Sequence, residues 1–155
     1  MQRNVPPSPD HKEPLVMVVD DELEIVDIVQ VVLQYAGFRV LAAASGEGCL
    51  AALQTVQPDL ILLDIMMPGL SGWDVLDHLR ADPRLRTIPV MMLTALAQDS
   101  EIRRGLAAGA VEYLVKPFDL VGLLHHVNWA LNESTPEERE APRRRLLDKL
   151  RLAGA

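Results

Sequence analysis

Five short apolar runs alternate along this chain with stretches of helical periodicity, and this alternation limits the fold more than any other feature. The runs are rich in Val, Leu, Ile and Met and do not alternate with polar residues. Such strands, separated by helices, are typical of a parallel sheet covered by helices on both faces. We therefore predict an α/β protein with a doubly wound sheet. The predicted strands are 15–20, 38–43, 59–64, 88–94 and 111–115, and the predicted helices are about 22–36, 46–56, 71–82, 98–108 and 118–132.

The length of 155 residues suits one domain with short segments on either side. Residues 1–14 hold four prolines among polar neighbours, which predicts a flexible leader before a domain at 15–132. Residues 133–155 are highly charged and carry a narrow apolar stripe of Leu146, Leu147 and Leu150, which predicts a partly helical tail. Pro142 argues against one unbroken helix there. Two interpretations of the tail stay open, a solvated extension and a docking or dimerisation helix.

Charge and hydropathy exclude several classes of protein. Residues 1–132 contain 9 basic and 17 acidic residues, a net charge of −8, so this part is a poor candidate for binding nucleic acid. No apolar run approaches the roughly 20 residues of a membrane span, and the N-terminus lacks a secretory signal. Cys49 is the single cysteine, so no intramolecular disulfide can form. We expect a cytoplasmic protein that does not enter a membrane.

Polar residues of different kinds follow four of the predicted strands. Asp20 and Asp21 follow the first strand, Asp64 the third, Thr94 the fourth and Lys116 the fifth. The carboxyl ends of parallel strands meet at one edge of a sheet, where open α/β folds bind their ligands. Crowded carboxylates repel one another unless a cation lies among them, and a hard divalent ion takes oxygen ligands. Lysine and threonine would then face an anion, for which a phosphoryl group is well suited.

This set of residues resembles the receiver domain of two-component response regulators over about residues 15–132. The likeness rests on Asp20-Asp21, on Asp64 followed by IMMPGLSGWDVL, on Thr94-Ala95 and on Lys116-Pro117-Phe118. Each motif alone is common, but all four at the ends of successive strands are specific. The resemblance implies a flavodoxin-like (βα)5 fold with five parallel strands in the order 2-1-3-4-5.

The resemblance also implies a role for each site residue. Asp64 would accept a phosphoryl group from a sensor histidine kinase, a phosphotransfer protein or a small phosphodonor. Asp21, Asp64 and the backbone carbonyl of Met66 would bind Mg²⁺ directly, and Asp20 would act through a bound water. Lys116 and Thr94 would contact the phosphoryl oxygens. A cis peptide bond is expected before Pro117.

The implied output is a change of surface rather than a turnover of substrate. Thr94 would move toward the phosphoryl group, Tyr113 would turn inward, and the surface of helix 98–108, strand 111–115 and helix 118–132 would change for a downstream partner. Met66 and Leu96 occupy the two positions that influence attack of water on the phosphoryl group in this family. Neither can orient a water, so we predict slow self-dephosphorylation. Apart from self-phosphorylation and self-dephosphorylation, no enzymatic activity is expected.

Two alternatives remain beside a single-domain switch. The chain could be the receiver portion of a longer regulator, including a DNA-binding one, with the tail as a linker. From another class, a Mg²⁺-dependent phosphohydrolase of the haloacid dehalogenase type also forms an aspartyl phosphate, but its nucleophile follows the first strand in a DxD-type motif that Asp20-Asp21-Glu22 does not match. The kinase, the partner and homodimerisation through residues 98–132 or the tail stay open.

Overall fold

The computed structural model describes residues 13–95 and 98–133, which form five β-α units. The predicted leader and tail lie outside these residues, apart from their innermost positions. The strands are β1 (Leu15–Val19), β2 (Arg39–Ala43), β3 (Leu60–Leu63), β4 (Val90–Thr94) and β5 (Glu112–Val115). The helices are α1 (Leu23–Tyr35), α2 (Gly46–Ala52), α3 (Gly72–Ala81), α4 (Asp99–Ala107) and α5 (Leu120–Asn128), the last followed by a π-helical turn at Trp129–Glu133.

All five strands are parallel and lie in the order β2-β1-β3-β4-β5, as the resemblance implied. The order reverses direction beside β1, so β1 and β3 are neighbours although β2 lies between them in sequence. Such a switch point leaves a crevice at the carboxyl ends of the two central strands. The topology therefore places the ends of β1 and β3 together.

Two apolar layers enclose the sheet, and successive residues of a strand point into opposite layers. Val16 and Val18 contact the layer under α1 and α5, whereas Met17 and Val19 contact the layer under α2 and α3. Every residue of β3 and β4 is buried. This burial explains the unbroken apolar runs in the sequence.

Arg80, near the end of α3, links that helix to two distant turns. Its guanidinium donates hydrogen bonds to the backbone carbonyls of Arg86 and Ile88 before β4 and to those of Ala108 and Gly109 before β5. Gly109 has a φ of +100°, and a Cβ there would come within 2.9 Å of the Arg80 Nε atom. One side chain therefore joins three segments of the chain.

Most predicted elements are found within two residues of their predicted ends, and two helices differ more. α2 ends at Ala52 rather than near 56, because the amides of Gln54 and Thr55 bond to carbonyls three residues back and close the helix with tight turns. α5 ends at Asn128 rather than near 132, because the chain continues as the π-helical turn at Trp129–Glu133. It begins at Leu120, where the Asp119 carboxylate accepts hydrogen bonds from the amides of Val121 and Gly122. Among the described residues, no helix has the length and apolar character that crossing a membrane requires.

Candidate functional site

Backbone hydrogen bonds that extend the sheet hold three of the predicted site residues at its carboxyl edge. The Asp20 amide donates to the Ala43 carbonyl at 3.1 Å, and the Asp64 amide donates to the Val19 carbonyl at 2.9 Å. The Lys116 amide donates to the carbonyl of Thr94 at 2.8 Å. These residues are therefore fixed by the sheet itself rather than by a mobile loop.

The Lys116 ammonium group lies among three carboxylates. Its Nζ atom is 2.6 Å from Asp20 Oδ2, 3.0 Å from Glu22 Oε1 and 3.4 Å from Asp64 Oδ2. Asp20 and Asp64 are 1% and 3% exposed, whereas the Glu22 side chain is largely in solvent. Lys116 thus provides the positive charge that the two buried acids require.

One lysine does not fully offset the negative charge of this site. Burial raises the pKa of the Asp64 carboxyl to about 6, the Asp20 charge adds to the rise, and Lys116 opposes it. Burial lowers the pKa of Lys116, but its hydrogen bonds to Asp20 and Glu22 and the charge of Asp64 outweigh burial and raise it. The site is therefore short of positive charge: Lys116 is protonated, and the pKa of Asp64 is still raised.

Three of the acids are close enough to hold one metal ion. Carboxylate oxygens of Asp20, Asp21 and Asp64 lie within 4.8 Å of one another, with Asp21 exposed and the other two buried. Oxygen ligands of this kind suit a hard divalent cation, and a site open on the Asp21 side leaves room for the waters that Mg²⁺ retains. The residues present therefore fit magnesium.

The loop after Asp64 is packed tightly against the backbone of the site. The Gly72 amide donates to the Ile65 carbonyl at 2.8 Å, and a Cβ at Gly72 would overlap the backbone oxygen of Asp64. Ser71 and Asp74 cap α3 reciprocally through a capping box. The start of α3 thus lies directly beneath the Asp64 backbone.

Two predicted switch residues lie on neighbouring strands between the acidic site and α4. Thr94 ends β4 and is fully buried, and Tyr113 on β5 is 7% exposed, so its side chain already lies inward here. Gly105 of α4 faces both Tyr113 and Trp73, since a Cβ there would be 3.3 Å from the tyrosine ring and 3.4 Å from the indole. Arg104 stacks over that indole at 4.5 Å from the ring centroid. The indole of α3 and the ring of β5 therefore determine how closely α4 packs.

Sequence reasoning did not identify one site residue, Glu22. It has no predicted role in the site, yet it pairs with Lys116 and, although it is the N-cap residue of α1, makes no side-chain capping bond. The signal that could have identified Glu22 as a site residue is an acidic residue at the N-cap position of α1, directly after Asp20-Asp21. The Glu22 amide donates to Asp20 Oδ1 at 2.9 Å, which turns its side chain toward the site.

Other predicted positions are distributed around this centre. The Lys116–Pro117 peptide bond is cis, the isomer that the resemblance implied. Met66 is 61% exposed, in contrast to Met67, Met91 and Met92, which are buried. Leu96, the second position proposed to affect lifetime, lies outside the described residues.

Comparison with known proteins gives one family. The family model of the response regulator receiver domain matches residues 16–128. The transcriptional regulator RpaA of Synechocystis is 40% identical over 121 residues, which cover 78% of this chain and 50% of RpaA. The phosphate regulon regulator PhoB of Rhizobium meliloti is 39% identical over 124 residues, which cover 80% of this chain and 55% of PhoB. The chain thus spans about half the length of these curated relatives.

Solved structures show the same likeness over nearly their whole length. The chemotaxis response regulator CheY4 of Vibrio cholerae has a TM-score of 0.73 at 33% identity, covering 77% of this chain and 100% of CheY4. A putative response regulator from Chloroflexus aurantiacus has a TM-score of 0.74 at 35% identity, covering 77% of this chain and 98% of that one. The sequence comparison and the fold comparison therefore indicate the same family.

Proposed function

Because the chain belongs to the receiver domains of two-component response regulators, we propose that Asp64 is its phosphoacceptor and that phosphorylation switches its surface between two states. The donor would be a sensor histidine kinase or a phosphotransfer protein, the partners that family membership implies. The observation that supports Asp64 most directly is its position, since it is a buried carboxylate at the end of the central strand, 3.4 Å from the Lys116 ammonium group.

The transfer is a substitution at phosphorus. A carboxylate oxygen of Asp64 attacks the phosphorus atom, the bond from phosphorus to the donor breaks, and the donor leaves with the bonding electron pair. Lys116, already held at the site, would pair with an oxygen of the transferring group, and Thr94 would donate its hydroxyl hydrogen to another. A pKa of about 6 leaves Asp64 mainly ionised at neutral pH, the form that can attack.

Asp20, Asp21 and Asp64, with the backbone carbonyl of Met66, would hold Mg²⁺. When bound, the ion neutralises charge on the acids and on the equatorial oxygens of the transferring group. The shortage of positive charge described above supports this assignment. Among the described residues, Lys116 alone serves three carboxylates, and an incoming phosphoryl group would add further negative charge.

The switch would pass from the phosphoryl group through Thr94 and Tyr113 to the surface of α4, β5 and α5. Its support is the packing around Gly105, where the rings of Tyr113 and Trp73 leave α4 no space to approach unless one of them moves. A downstream protein would then recognise the altered surface. On this proposal the domain is itself the substrate of phosphotransfer and has no separate enzymatic output.

A second candidate function concerns the whole polypeptide. The curated relatives are about twice as long as the matched segment, and several are described as DNA-binding regulators. This chain would then act as the receiver portion of a longer regulator. A phosphohydrolase of the haloacid dehalogenase type is disfavoured, because the chain belongs to the receiver family and its central acid follows β3 rather than β1.

The proposal is tested by incubating the protein with acetyl phosphate and Mg²⁺ and recording its intact mass. We expect a gain of one phosphoryl group that is lost with a chelator and in Asp64→Asn. Asp77→Asn is the matched control, because Asp77 is exposed on α3. Phosphorylation of Asp64→Asn, or none in the folded wild-type protein, would refute the assignment.

A further inference from the structure

The outer face of α1 carries an apolar stripe that no other described residue covers. Ile28, Val31 and Tyr35 are 52%, 66% and 96% exposed. They are spaced by three and four residues, so they lie along one side of the helix. The opposite side of α1 is buried in the core through Val26, Val29 and Leu33. An exposed apolar row of this kind marks an interaction surface rather than scattered surface residues.

The stripe continues into a cavity beside the acidic site. Ile28 helps to line a cavity of about 470 Å³ between α1 and the start of α5, together with Ile25, Phe118 and Leu120. Glu22 and Lys116 also line it. The apolar surface therefore reaches from the end of α1 at Tyr35 to the mouth of the phosphoacceptor site.

Charge distinguishes this face from the segment that follows the domain. α1 carries two acidic residues, Glu24 and Asp27, both exposed, and no Lys or Arg. Residues 143–152 contain five basic residues and one acidic residue, with Leu146, Leu147 and Leu150 at helical spacing. The two stretches are complementary in both charge and apolar pattern.

The topology brings that segment to the correct end of α1. α1 and α5 pack on the same face of the sheet, and each runs antiparallel to the strand before it, so both helices end at the same edge. The chain leaves α5 through the π-helical turn at Trp129–Glu133, on the edge where Tyr35 lies. Residues 134–142 span up to about 30 Å when extended, which is ample to reach the stripe.

We propose that residues 143–152 dock as a helix along the outer face of α1, antiparallel to it. Leu147 then contacts Val31, Leu150 contacts Ile28, and the basic side chains lie beside the acids of α1. A second copy of the chain is a weaker occupant, because three apolar side chains fall far short of the roughly 20–30 residues a side of a stable dimer. A tethered segment needs much less surface, since its effective concentration is already about millimolar.

The interface is tested by disulfide formation in the unphosphorylated full chain carrying Val31→Cys and Leu147→Cys. The matched control pairs Leu147→Cys with Ala51→Cys, an exposed position on the opposite face of the sheet. Cys49 does not interfere, because it is fully buried and burial raises the pKa of its thiol to about 12. Circular dichroism checks that each variant is folded.

We expect an intramolecular disulfide to form about tenfold faster in the α1 pair than in the control, which corresponds to about 1.4 kcal/mol in favour of docking. Adding Leu150→Glu or raising the salt concentration should remove most of this advantage. Equal rates in the two pairs would overturn the proposal, and so would disulfides that form only between chains. A faster rate in the α1 pair that persists with Leu150→Glu would also exclude the proposed contact of Leu150 with Ile28.

Discussion

Replacing Asp64 by asparagine should stabilise the metal-free protein at neutral pH, although it removes the proposed phosphoacceptor. The carboxyl has a pKa of about 6 in the folded chain against an ordinary value of 3.8, mainly because it is buried and lies near Asp20. A difference of about two units corresponds to about 3 kcal/mol of differential interaction. Since the site opens to solvent at the edge of the sheet, we expect a gain of about 1.5–3 kcal/mol for Asp64→Asn at pH 7.5.

The gain should depend on pH in a defined direction. Between the unfolded and folded pKa values the native state binds more protons, so the wild-type free energy of unfolding falls relative to that of the variant as pH rises from about 4 to about 6. Above about pH 6 the wild-type protein shows its full loss of stability relative to the variant. At pH 5 the difference between the two proteins should be about half of its value at pH 7.5.

Urea unfolding followed by circular dichroism in EDTA, at pH 5 and pH 7.5, measures these differences. Asp77→Asn on the exposed side of α3 is the control and should change little at either pH. A variant that is no more stable than wild type at pH 7.5, or a gain that does not shrink at pH 5, would refute the reasoning. The first result would mean that the acidic site is already balanced without a metal, and the second that the gain does not come from ionisation of Asp64.

Three further predictions follow from the same geometry. Lys116→Met should cost about 3 kcal/mol in EDTA at pH 7.5 by leaving buried carboxylates unpaired, and Mg²⁺ should restore part of the loss in urea unfolding; no destabilisation would contradict the pairing. Gly72→Ala should cost about 3 kcal/mol of stability through overlap with the Asp64 backbone. The control Gly122→Ala in α5, where the nearest atom is 3.6 Å away, should gain about 0.5–1 kcal/mol in thermal unfolding. Equal effects of the two substitutions would count against the close contact between Gly72 and Asp64. Met66→Asn should shorten the phosphoryl half-life several-fold in a phosphate-release assay, because an amide can orient water, and an unchanged half-life would exclude that role for Met66.

Much of the fold could be predicted because each element is specified locally. The buried strands are unbroken apolar runs, and Gly37 and Gly109 follow α1 and α4 with positive φ, where other residues would be strained. Helix ends were less predictable, since they depend on particular bonds. The close of α2 depends on amides that bond three residues back, and the start of α5 depends on the Asp119 cap.

The convergence of most site residues could be predicted from the sequence, but the part played by Glu22 could not. Parallel strands bring their carboxyl ends together, so the convergence of Asp20, Asp64 and Lys116 follows from the alternation of elements. The part played by Glu22 does not follow, because it depends on how the first turn of α1 directs one side chain. The packing of Gly105 between Tyr113 and Trp73 likewise depends on three elements that are distant in sequence.

The four carbonyl contacts of Arg80 have a consequence for how the molecule opens. Local opening usually involves units that share hydrogen bonds, and here the end of α3, the turn before β4 and the turn before β5 share a single guanidinium group. Neither turn can separate from α3 without loss of that group's bonds. The end of α3 and the turns before β4 and β5 should therefore open as one cooperative unit. Amide hydrogens at the two turns would then exchange with solvent together rather than one segment at a time.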